Sequence, residues 1–310
     1  MPKASPEKKK PIHSWLYGKP GTGKTLIAKY IPKKINKEAW VKGVYINCWE
    51  HNYYYSVLDK LVRELRILGA EKLNTSFKLE RLRQFMGNMP FLIILDEIDM
   101  PKKMERNSII YNLCNIGKVG LIFVCNSTDI FFSLDERIKS RLNAMLIEFE
   151  AYTISELRHI LKRRAEFSLR PGSWSNNILK KISEIAQGDA RIAFQTLKNA
   201  AYYAENESSR KIGVKHIKEG YISARYLKKA YLLNKLTSHH KLLYKLVKEK
   251  IEIHSGKLWK AYLAKRRELK KQPIALRTYS EYMNKLIELN LVQWDRALVR
   301  GKVRTFKVAD

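Results

Sequence analysis

The sequence predicts an α/β fold with a parallel sheet, joined to a smaller helical domain and a C-terminal winged-helix domain. Three observations lead to this prediction. Short apolar runs alternate with helical patterns in the first half of the chain, apolar residues recur every three or four positions after Thr153, and two alternating runs close the sequence. With 310 residues the chain is long enough for two or three domains. We expect a basic flexible tail at 1–12, the α/β domain at 13–150, the helical domain at 151–228 and the winged helix at 229–310.

Apolar runs define the predicted sheet. Each is a continuous series rich in Val, Ile, Leu and Phe, which is typical of a strand buried on both faces of a parallel sheet. The predicted strands cover residues 13–17, 44–48, 91–95, 121–125 and 145–149. Such sheets bind ligands at the carboxyl ends of their strands, so the residues that follow each run are the first candidates for a functional site.

The stretch LYGKPGTGKTLIAKYI, residues 16–31, runs from the end of the first predicted strand into a predicted helix. The GxxxxGKS/T pattern of a phosphate-binding loop is matched by Gly18, Gly23, Lys24 and Thr25. Glycines let backbone N–H groups cradle phosphates at a helix N-terminus, the lysine adds positive charge, and the Thr25 hydroxyl can ligate Mg²⁺. The residues expected to bind ATP or ADP are Gly18, Pro20, Gly21, Thr22, Gly23, Lys24, Thr25 and Leu26.

Two carboxylates and an amide follow later strands. Asp96 and Glu97 end the third predicted strand, where one carboxylate can hold Mg²⁺ and the other can polarise the water that attacks the γ-phosphate. We assign Asp96 to the metal and Glu97 to the water. Asn126 follows the fourth strand and can orient that water without adding negative charge. An Asn that only caps a helix would look the same in sequence.

Arginines supply candidate contacts to ATP from outside the loop. Arg137 and Arg141 lie four residues apart in LDERIKSR and share one helical face, from which they could reach a phosphate held by another subunit. A solvated basic helix end is the alternative. Arg191 follows Gly188 and Asp189, which predict the end of one helix and the N-cap of the next. From there Arg191 could fold a lid onto the nucleotide and report its γ-phosphate.

Apolar periodicity predicts the elements of the two smaller domains. Helices are expected at 153–167, 174–186, 189–205 and 214–227, the first opened by the capping box TISE. Helical segments near 238–253, 257–270 and 277–289 precede LVQWDRALVRGKVRTFKV. The two alternating runs of that stretch flank Arg-Gly and predict a β-hairpin. Three helices followed by a hairpin are typical of a winged helix-turn-helix.

The charge of the chain points to a polyanionic partner. Lys and Arg number 60 against 30 Asp and Glu, which gives a formal net charge of +30. Residues 210–310 hold 26 of the basic residues and only 8 of the acidic ones. Because no long apolar span accompanies this charge, nucleic acid is favoured over a membrane as the partner. A solvated basic surface from a salt-adapted or thermophilic host is the alternative.

The third helix of the winged helix is the predicted reader of double-stranded DNA. Helical spacing turns one apolar set toward the core, namely Tyr282, Met283, Leu286 and Leu289. The outward set is Arg277, Ser280, Glu281, Asn284 and Lys285. Residues expected to contact DNA are Arg277, Asn284, Lys285, Arg296, Arg300, Lys302 and Arg304, the last four on the hairpin, where Gly301 permits the turn. A basic winged helix that docks protein is the alternative.

The cysteines and the N-terminus bear on location. Cys48, Cys114 and Cys125 are scattered singly, which fits neither a metal site nor a paired set, so we expect buried free thiols and a reducing compartment. MPKASPEKKK lacks an apolar run and is expected to be a flexible tail rather than a signal peptide. We therefore expect a cytoplasmic, nucleoid-associated protein without membrane contact.

Taken together, these residues resemble the AAA+ ATPases and, within them, the archaeal origin-recognition initiators related to eukaryotic ORC subunits and the replication-licensing ATPase. The resemblance runs from about residue 13 onward and is carried by YGKPGTGKT, VYINC, LDEID, CNSTD, LDERIKSR and QGDARIAFQTLKNAA. It implies these roles: Lys24 and Thr25 in Walker A, Asp96 and Glu97 in Walker B, Asn126 as sensor 1 and Arg191 as sensor 2.

Two departures from the family pattern lead to further predictions. Family members usually have several dozen residues ahead of the phosphate loop that help form the adenine pocket, whereas 17 residues precede Gly18. We therefore expect weaker nucleotide binding or help from a partner. Arg141 stands where archaeal initiators often have a small residue. ORC subunits and clamp loaders that act in trans keep an arginine there, which favours Arg141 as a finger.

The resemblance implies an ATP-regulated initiator that binds origin DNA and helps recruit or load the replicative helicase, alone or with other initiator subunits. It also implies slow, Mg²⁺-dependent hydrolysis of ATP as a conformational switch. The alternative is an ATP-binding, DNA-bound regulator or a plasmid- or virus-maintenance protein that loads no helicase.

Overall fold

The computed structural model describes residues 12–37, 41–87, 89–234, 236–289, 291–296 and 304–309. The chain divides into two compact units, Met1–Ile217 and Lys218–Asp310. The first unit contains the stretch predicted as the α/β domain and most of the stretch predicted as the helical domain. The predicted boundaries at residues 150 and 228 stay predictions.

The α/β part of the first unit is a parallel sheet with helices in its connections. Its strands are β1 (Ser14–Tyr17), β2 (Lys42–Asn47), β3 (Phe91–Asp96), β4 (Val119–Val124) and β5 (Met145–Glu148), in the order β2-β3-β4-β1-β5. Its helices are α1 (Lys24–Ile35), α2 (Tyr54–Glu64), α3 (Thr75–Met86), α4 (Lys103–Cys114), α5 (Asp129–Phe132) and α6 (Glu136–Leu142). The described strand pairs of this sheet are all parallel, which confirms the predicted α/β fold.

The core lies on both faces of this sheet because successive side chains of a strand point to opposite sides. Trp15 and Phe123 belong to the larger apolar cluster on one face. Leu16 and Val124, next to them in the same strands, pack with Ala28 of α1 on the other face. The prediction of burial on both faces is wrong for β5, which lies at one end of the strand order and whose Met145 and Leu146 are exposed. The inner strands β1, β3 and β4 hold their carboxyl ends rigidly, which is what a site built on the following loops requires.

The cysteines are free thiols, as predicted. Cys48 and Cys125 are buried, whereas Cys114 is only half-buried. Burial raises the pKa of the Cys125 thiol to about 11. A thiol that stays protonated at neutral pH is a poor nucleophile, so Cys125 has a packing role.

The helical part of the first unit consists of α7 (Ile154–Ser168), α8 (Asn176–Ala186), α9 (Ala190–Asn206) and the start of α10 (Val214–Asn234). The predicted capping box of α7 is confirmed. The Thr153 hydroxyl accepts a hydrogen bond from the Glu156 N–H at 3.2 Å, and the Thr153 N–H donates to the Glu156 carboxylate at 2.9 Å. In the described part of the chain, no helix combines the length and apolar character needed to cross a membrane.

The second unit continues α10 and adds α11 (Ser238–Lys248), β6 (Ile253–His254), α12 (Ser255–Glu268), α13 (Leu276–Glu288), β7 (Val292–Arg296) and β8 (Arg304–Val308). Strand β8 pairs antiparallel with both β6 and β7. Helices α11, α12 and α13 followed by β7 and β8 agree with the predicted order, whereas β6 between α11 and α12 was not predicted. The assignment as a winged helix stays a prediction. The predicted turn residues Arg300, Gly301 and Lys302 lie outside the described residues.

One boundary in the second unit differs from the prediction. The sequence predicts a helix that continues to residue 253, but α11 ends at Lys248. Ile253 instead pairs with Phe306 in the small sheet. Ile253 is buried in the core of this unit, a position that suits a β-branched side chain on a pleated strand, so pairing with a distant strand overrides the helical spacing of this stretch.

Candidate nucleotide site

Three loops of the first unit meet at the carboxyl edge of the parallel sheet. Leu16 of β1 pairs with Val124 of β4, and Asp96 of β3 pairs with the same residue from the other side. The three strands therefore end at one level. The phosphate loop, the Asp96–Glu97 pair and Asn126, which follow these strands, are neighbours.

The phosphate loop has a backbone that requires glycine. Gly18, Gly21 and Gly23 have φ angles of +144°, +89° and +90°, a region that glycine adopts without strain. A Cβ atom at Gly18 would overlap the carbonyl oxygen of Phe149, and one at Gly21 would overlap the carboxylate of Asp189. These close approaches fit a tight loop that wraps a phosphate group.

Lys24 lies inside this loop. Its Nζ donates hydrogen bonds to the carbonyl oxygens of Gly18 at 2.6 Å and Lys19 at 2.8 Å. Burial lowers the pKa of Lys24, and the nearby positive charge of Arg191 lowers it further. The Asp96 carboxylate acts in the opposite direction. The ammonium group is therefore held where a bound polyphosphate could replace the carbonyl oxygens as its partner.

The remaining predicted loop residues differ in exposure. Thr22 is buried, and its hydroxyl donates to the carbonyl oxygen of Lys19 at 2.9 Å. Pro20 and Leu26 are exposed. Leu26, in the first turn of α1, is thus open to contact by a ligand.

Thr25 and Asp96 are the residues that could hold Mg²⁺. Asp96 is buried and accepts a hydrogen bond from the Tyr45 hydroxyl at 2.7 Å, while Thr25 is half-buried in the first turn of α1. Among the described residues, no group of three or more His, Cys, Asp or Glu side chains could hold a metal ion. One hydroxyl and one carboxylate fit Mg²⁺, which keeps several waters and takes phosphate oxygens as further ligands.

Glu97 and Asn126 occupy neighbouring loop positions. Glu97 has φ +55°, and its N–H donates to the Asp96 carboxylate at 3.0 Å. Non-glycine residues in this conformation are uncommon and cluster at functional sites. Asn126 is exposed, and its Nδ2 donates to Oδ2 of Asp99 at 3.4 Å. Asp99 thus orients the amide.

The helical part of the first unit, which is the predicted lid, contributes residues to the same site. Asp189 caps α9 by accepting hydrogen bonds from backbone N–H groups of its first turn, as predicted. The N–H of Ala190 donates to the carbonyl oxygen of Gly21 at 3.2 Å, so this turn touches the phosphate loop. Arg191 follows directly on Ala190 and is exposed, and its positive charge lowers the pKa of Lys24. The structure therefore brings the predicted lid arginine to the predicted phosphate site.

The two arginines of α6 lie elsewhere. Arg141 donates to the side-chain oxygen of Asn115, and its guanidinium lies 5.0 Å from the ring centroid of Tyr111. With Arg137 and residues of α4 it lines a cavity of about 540 Å³. Both arginines are exposed, and the contacts of Arg141 are with the end of α4 rather than with the phosphate loop. This placement is compatible with action on a neighbouring subunit.

The predicted DNA-contact residues lie on α13 and the β7–β8 ribbon of the second unit. Arg277 and Asn284 are exposed, and Lys285 is half-buried. Arg277 pairs with Glu281 at 3.5 Å, and Lys285 pairs with Glu288 at 3.4 Å. On the ribbon, Arg304 begins β8 and Arg296 ends β7. The side chain of Arg296, together with Arg300 and Lys302, lies outside the described part of the chain.

The apolar face of α13 follows the predicted periodicity with one addition. Met283 and Leu286 are buried, and Tyr282 and Leu289 are half-buried. Tyr279, one turn earlier than Met283, is also buried. The helical spacing that predicts Met283 and Leu286 as core residues also predicts Tyr279 as one.

Comparison with known proteins decides the family. Residues 11–130 match the AAA domain, and residues 158–221 match the Cdc6 AAA+ ATPase-type lid domain. The chain is 33% identical over 254 residues to ORC1-type DNA replication protein 1 of Halobacterium salinarum, covering 80% of this chain and 81% of that protein. The chain belongs to the ORC1-type DNA replication protein family. The resemblance to archaeal initiators is thereby confirmed.

Other ORC1-type proteins extend the likeness over most of the chain. ORC1-type DNA replication protein 1 of Methanothermobacter thermautotrophicus is 27% identical over 312 residues, covering 94% of this chain and 80% of that protein. The Aeropyrum pernix ORC1 protein, solved in complex with DNA, has a TM-score of 0.80 at 25% identity and covers 97% of this chain and 85% of that one. The Aeropyrum pernix ORC2 protein, solved in ADPNP and ADP complexes, shares the fold, with a TM-score of 0.59 at 22% identity over 96% of this chain and 84% of that one.

The first unit of this ORC1-type chain holds further site residues that the sequence pattern did not predict. Tyr45 and Asp99 contact Asp96 and Asn126, as described above. The hydroxyl of Tyr152 lies against Gly23 of the phosphate loop, where a Cβ atom would be only 2.8 Å from it. The third acidic residue of LDEID could have indicated Asp99, but no local signal connects Tyr45 or Tyr152 to the site.

Replacing Arg191 by Ala should weaken the preference of this ORC1-type chain for ATP over ADP. Arg191 follows directly on Ala190, which contacts the phosphate loop, and it is predicted to contact the γ-phosphate. We therefore expect affinity for a non-hydrolysable ATP analogue to fall by about tenfold or more and ADP affinity to change little. Titration calorimetry with both nucleotides measures this. Arg158→Ala, at an exposed position of α7, is the matched control. An equal loss for both nucleotides would contradict γ-phosphate sensing.

Proposed function

We propose that this ORC1-type chain is an ATP-regulated initiator that binds double-stranded origin DNA and helps recruit or load the replicative helicase at the nucleoid. The observation that carries the proposal is the contact of lid and phosphate loop, where Ala190 reaches Gly21 and Arg191 lies near Lys24. A γ-phosphate bound by Lys24 would also meet Arg191, so its presence or loss can shift the lid. The replication names of the relatives support the process in which this switch acts.

The arrangement supports slow, Mg²⁺-dependent ATP hydrolysis. Thr25 and Asp96 would hold the metal, which when bound neutralises charge on the phosphates. Glu97 would polarise the attacking water, and Asn126, oriented by Asp99, would position it. Arg141 of a neighbouring subunit or partner would add charge stabilisation. A chain without that contribution is expected to turn over slowly.

The second unit supports binding of duplex DNA. Its helix α13 presents exposed Arg277 and Asn284, side chains that recognise guanine and adenine edges in the major groove. The Aeropyrum pernix ORC1 relative was solved with DNA, which supports the same ligand here. The basic residues proposed to contact phosphates or the minor groove from the ribbon are Arg296, Arg300, Lys302 and Arg304.

Arg277→Ala tests the DNA surface. A duplex selected by the wild-type chain from a random pool is compared with a random-sequence duplex by fluorescence anisotropy. Loss of a bidentate base contact should lower the affinity ratio by about 5- to 150-fold, corresponding to ~1–3 kcal/mol. Arg267→Ala, an exposed arginine at the end of α12, is the matched control and should keep the ratio.

Two outcomes would redirect the proposal. A wild-type chain that enriches no duplex from the pool would contradict site-specific origin binding. Equal affinity for the selected duplex with an ATP analogue and with ADP would favour a DNA-bound regulator that uses no ATP switch.

A further inference from the structure

Trp294 and Arg304 share one face of the β7–β8 ribbon. Trp294 pairs with Phe306, and Arg304 lies two residues before Phe306, so it is the diagonal neighbour of Trp294 on that face. Val292 and Phe306 on the same face are buried in the core, whereas Trp294 is 39% exposed. The face therefore changes along its length from core packing to solvent, and the Trp294–Arg304 pair lies at the solvent end.

Arg304 contacts both the ribbon and α13. Its guanidinium carbon lies 4.7 Å from the ring centroid of Trp294, within the range of a cation–π interaction. Its Nη1 donates to Oδ1 of Asn284 at 3.5 Å. An arginine held at two points samples fewer conformations than a free surface arginine. It also lies against the residue of α13 proposed to read bases.

We infer that Trp294 is a positioning residue that holds Arg304 against Asn284, so that α13 and the ribbon present one ordered set of hydrogen-bonding groups to DNA. The inference rests on the proposed function, because it concerns how that same DNA surface distinguishes sequences. A contact from Arg304 to a phosphate would be the same in every duplex. Held against Asn284, Arg304 would instead contribute to base recognition.

The hydrogen-bonding capacity of Asn284 permits this role. Oδ1 has two lone pairs, and Arg304 uses one of them. The other lone pair and the Nδ2 donor stay available for the bidentate contact that asparagine makes with adenine. Arg304 thereby fixes the orientation of the amide without consuming the groups that read the base.

The uncharged indole of Trp294 distinguishes a positioning role from a phosphate contact by the salt dependence of DNA binding. A pre-positioned arginine loses less conformational freedom on binding, which favours the duplex that matches its orientation. Because Trp294 contributes no phosphate contact, its loss should leave the salt dependence of binding unchanged. Loss of a basic residue would instead lower the salt slope.

Trp294→Leu in the full chain tests the inference on the selected and random-sequence duplexes. We expect the affinity ratio to fall about two- to fivefold, the size of an exposed cation–π interaction, with an unchanged salt slope. Trp294→Phe keeps an aromatic face and should retain most of the ratio. Gln293→Leu changes the adjacent position, whose side chain points to the other face of the ribbon, and should keep all of it.

A double-mutant cycle with Arg304→Ala separates positioning from a structural role. If Trp294 acts through Arg304, adding Trp294→Leu to Arg304→Ala has no further effect on the ratio. An equal loss in both backgrounds would show that Trp294 only supports the fold and would overturn the inference. So would an unchanged ratio in Trp294→Leu when thermal unfolding shows that the variant is folded.

Failure of the proposed function looks different from failure of this inference. A wild-type chain without preference for any duplex contradicts the proposed function and this inference together. A wild-type chain that discriminates, with a Trp294→Leu variant that discriminates equally well, contradicts only the role of Trp294.

Discussion

Replacing Glu97 by Gln should lower the rate of ATP hydrolysis by about 100-fold or more while ATP still binds. Glutamine keeps the size of the side chain but removes the charge that we propose polarises the attacking water. Glu97 follows directly on Asp96, at the edge of the sheet where the phosphate loop begins, so the missing charge would lie beside the predicted phosphate site. Phosphate release at saturating Mg-ATP gives the rate, and calorimetry with a non-hydrolysable analogue gives the affinity.

Glu50→Gln is the matched control for this substitution. Glu50 is exposed and follows β2, so it lies at the same carboxyl edge of the sheet, but β2 is at one end of the strand order. Its replacement should leave the rate unchanged. Hydrolysis at the wild-type rate by Glu97→Gln would show that another group activates the water.

Replacing Lys24 by Ala should weaken binding of ATP and ADP by about 10- to 100-fold, because hydrogen bonds from a charged donor contribute about 1.5–3 kcal/mol. The Lys24 ammonium is buried inside the loop with the carbonyl oxygens of Gly18 and Lys19 as its partners. Its loss leaves the glycine backbone in place but removes the positive charge from the cradle. Calorimetric titration with each nucleotide measures the effect.

Lys19→Ala serves as the control for Lys24. Lys19 lies in the same loop, is exposed, and contributes its backbone carbonyl to Lys24. Because alanine preserves that carbonyl, affinity should stay within about twofold of the wild type, the scale of an exposed charge effect. Unchanged ATP affinity in Lys24→Ala would place the phosphates elsewhere.

Local sequence pattern by itself determined the elements of the nucleotide site. The predicted strand ends agree with β1 to β5 within two residues, because a short continuous apolar run between helical patterns is typical of a strand in a parallel sheet. The glycines of the phosphate loop were predictable for a related reason. Positive φ angles at Gly21 and Gly23 exclude most other residues, so the glycines themselves indicate the backbone conformation of the loop.

Helical periodicity likewise determined the two sides of α13. Met283 and Leu286 are buried while Arg277 and Asn284 are exposed, since residues three and four apart lie on one face of a helix. The roles in DNA binding stay predictions, but the surface on which they depend follows from spacing alone.

Only the tertiary structure decided which residues meet across the chain. The contact of Ala190 with Gly21, the pairing of Ile253 with Phe306 and the bond from Arg304 to Asn284 each join separate elements. Periodicity shows which side of an element is apolar, but it does not show which partner covers that side, because the partner is set by packing of the whole chain. For that reason the end of α11 and the role of Trp294 required the structure.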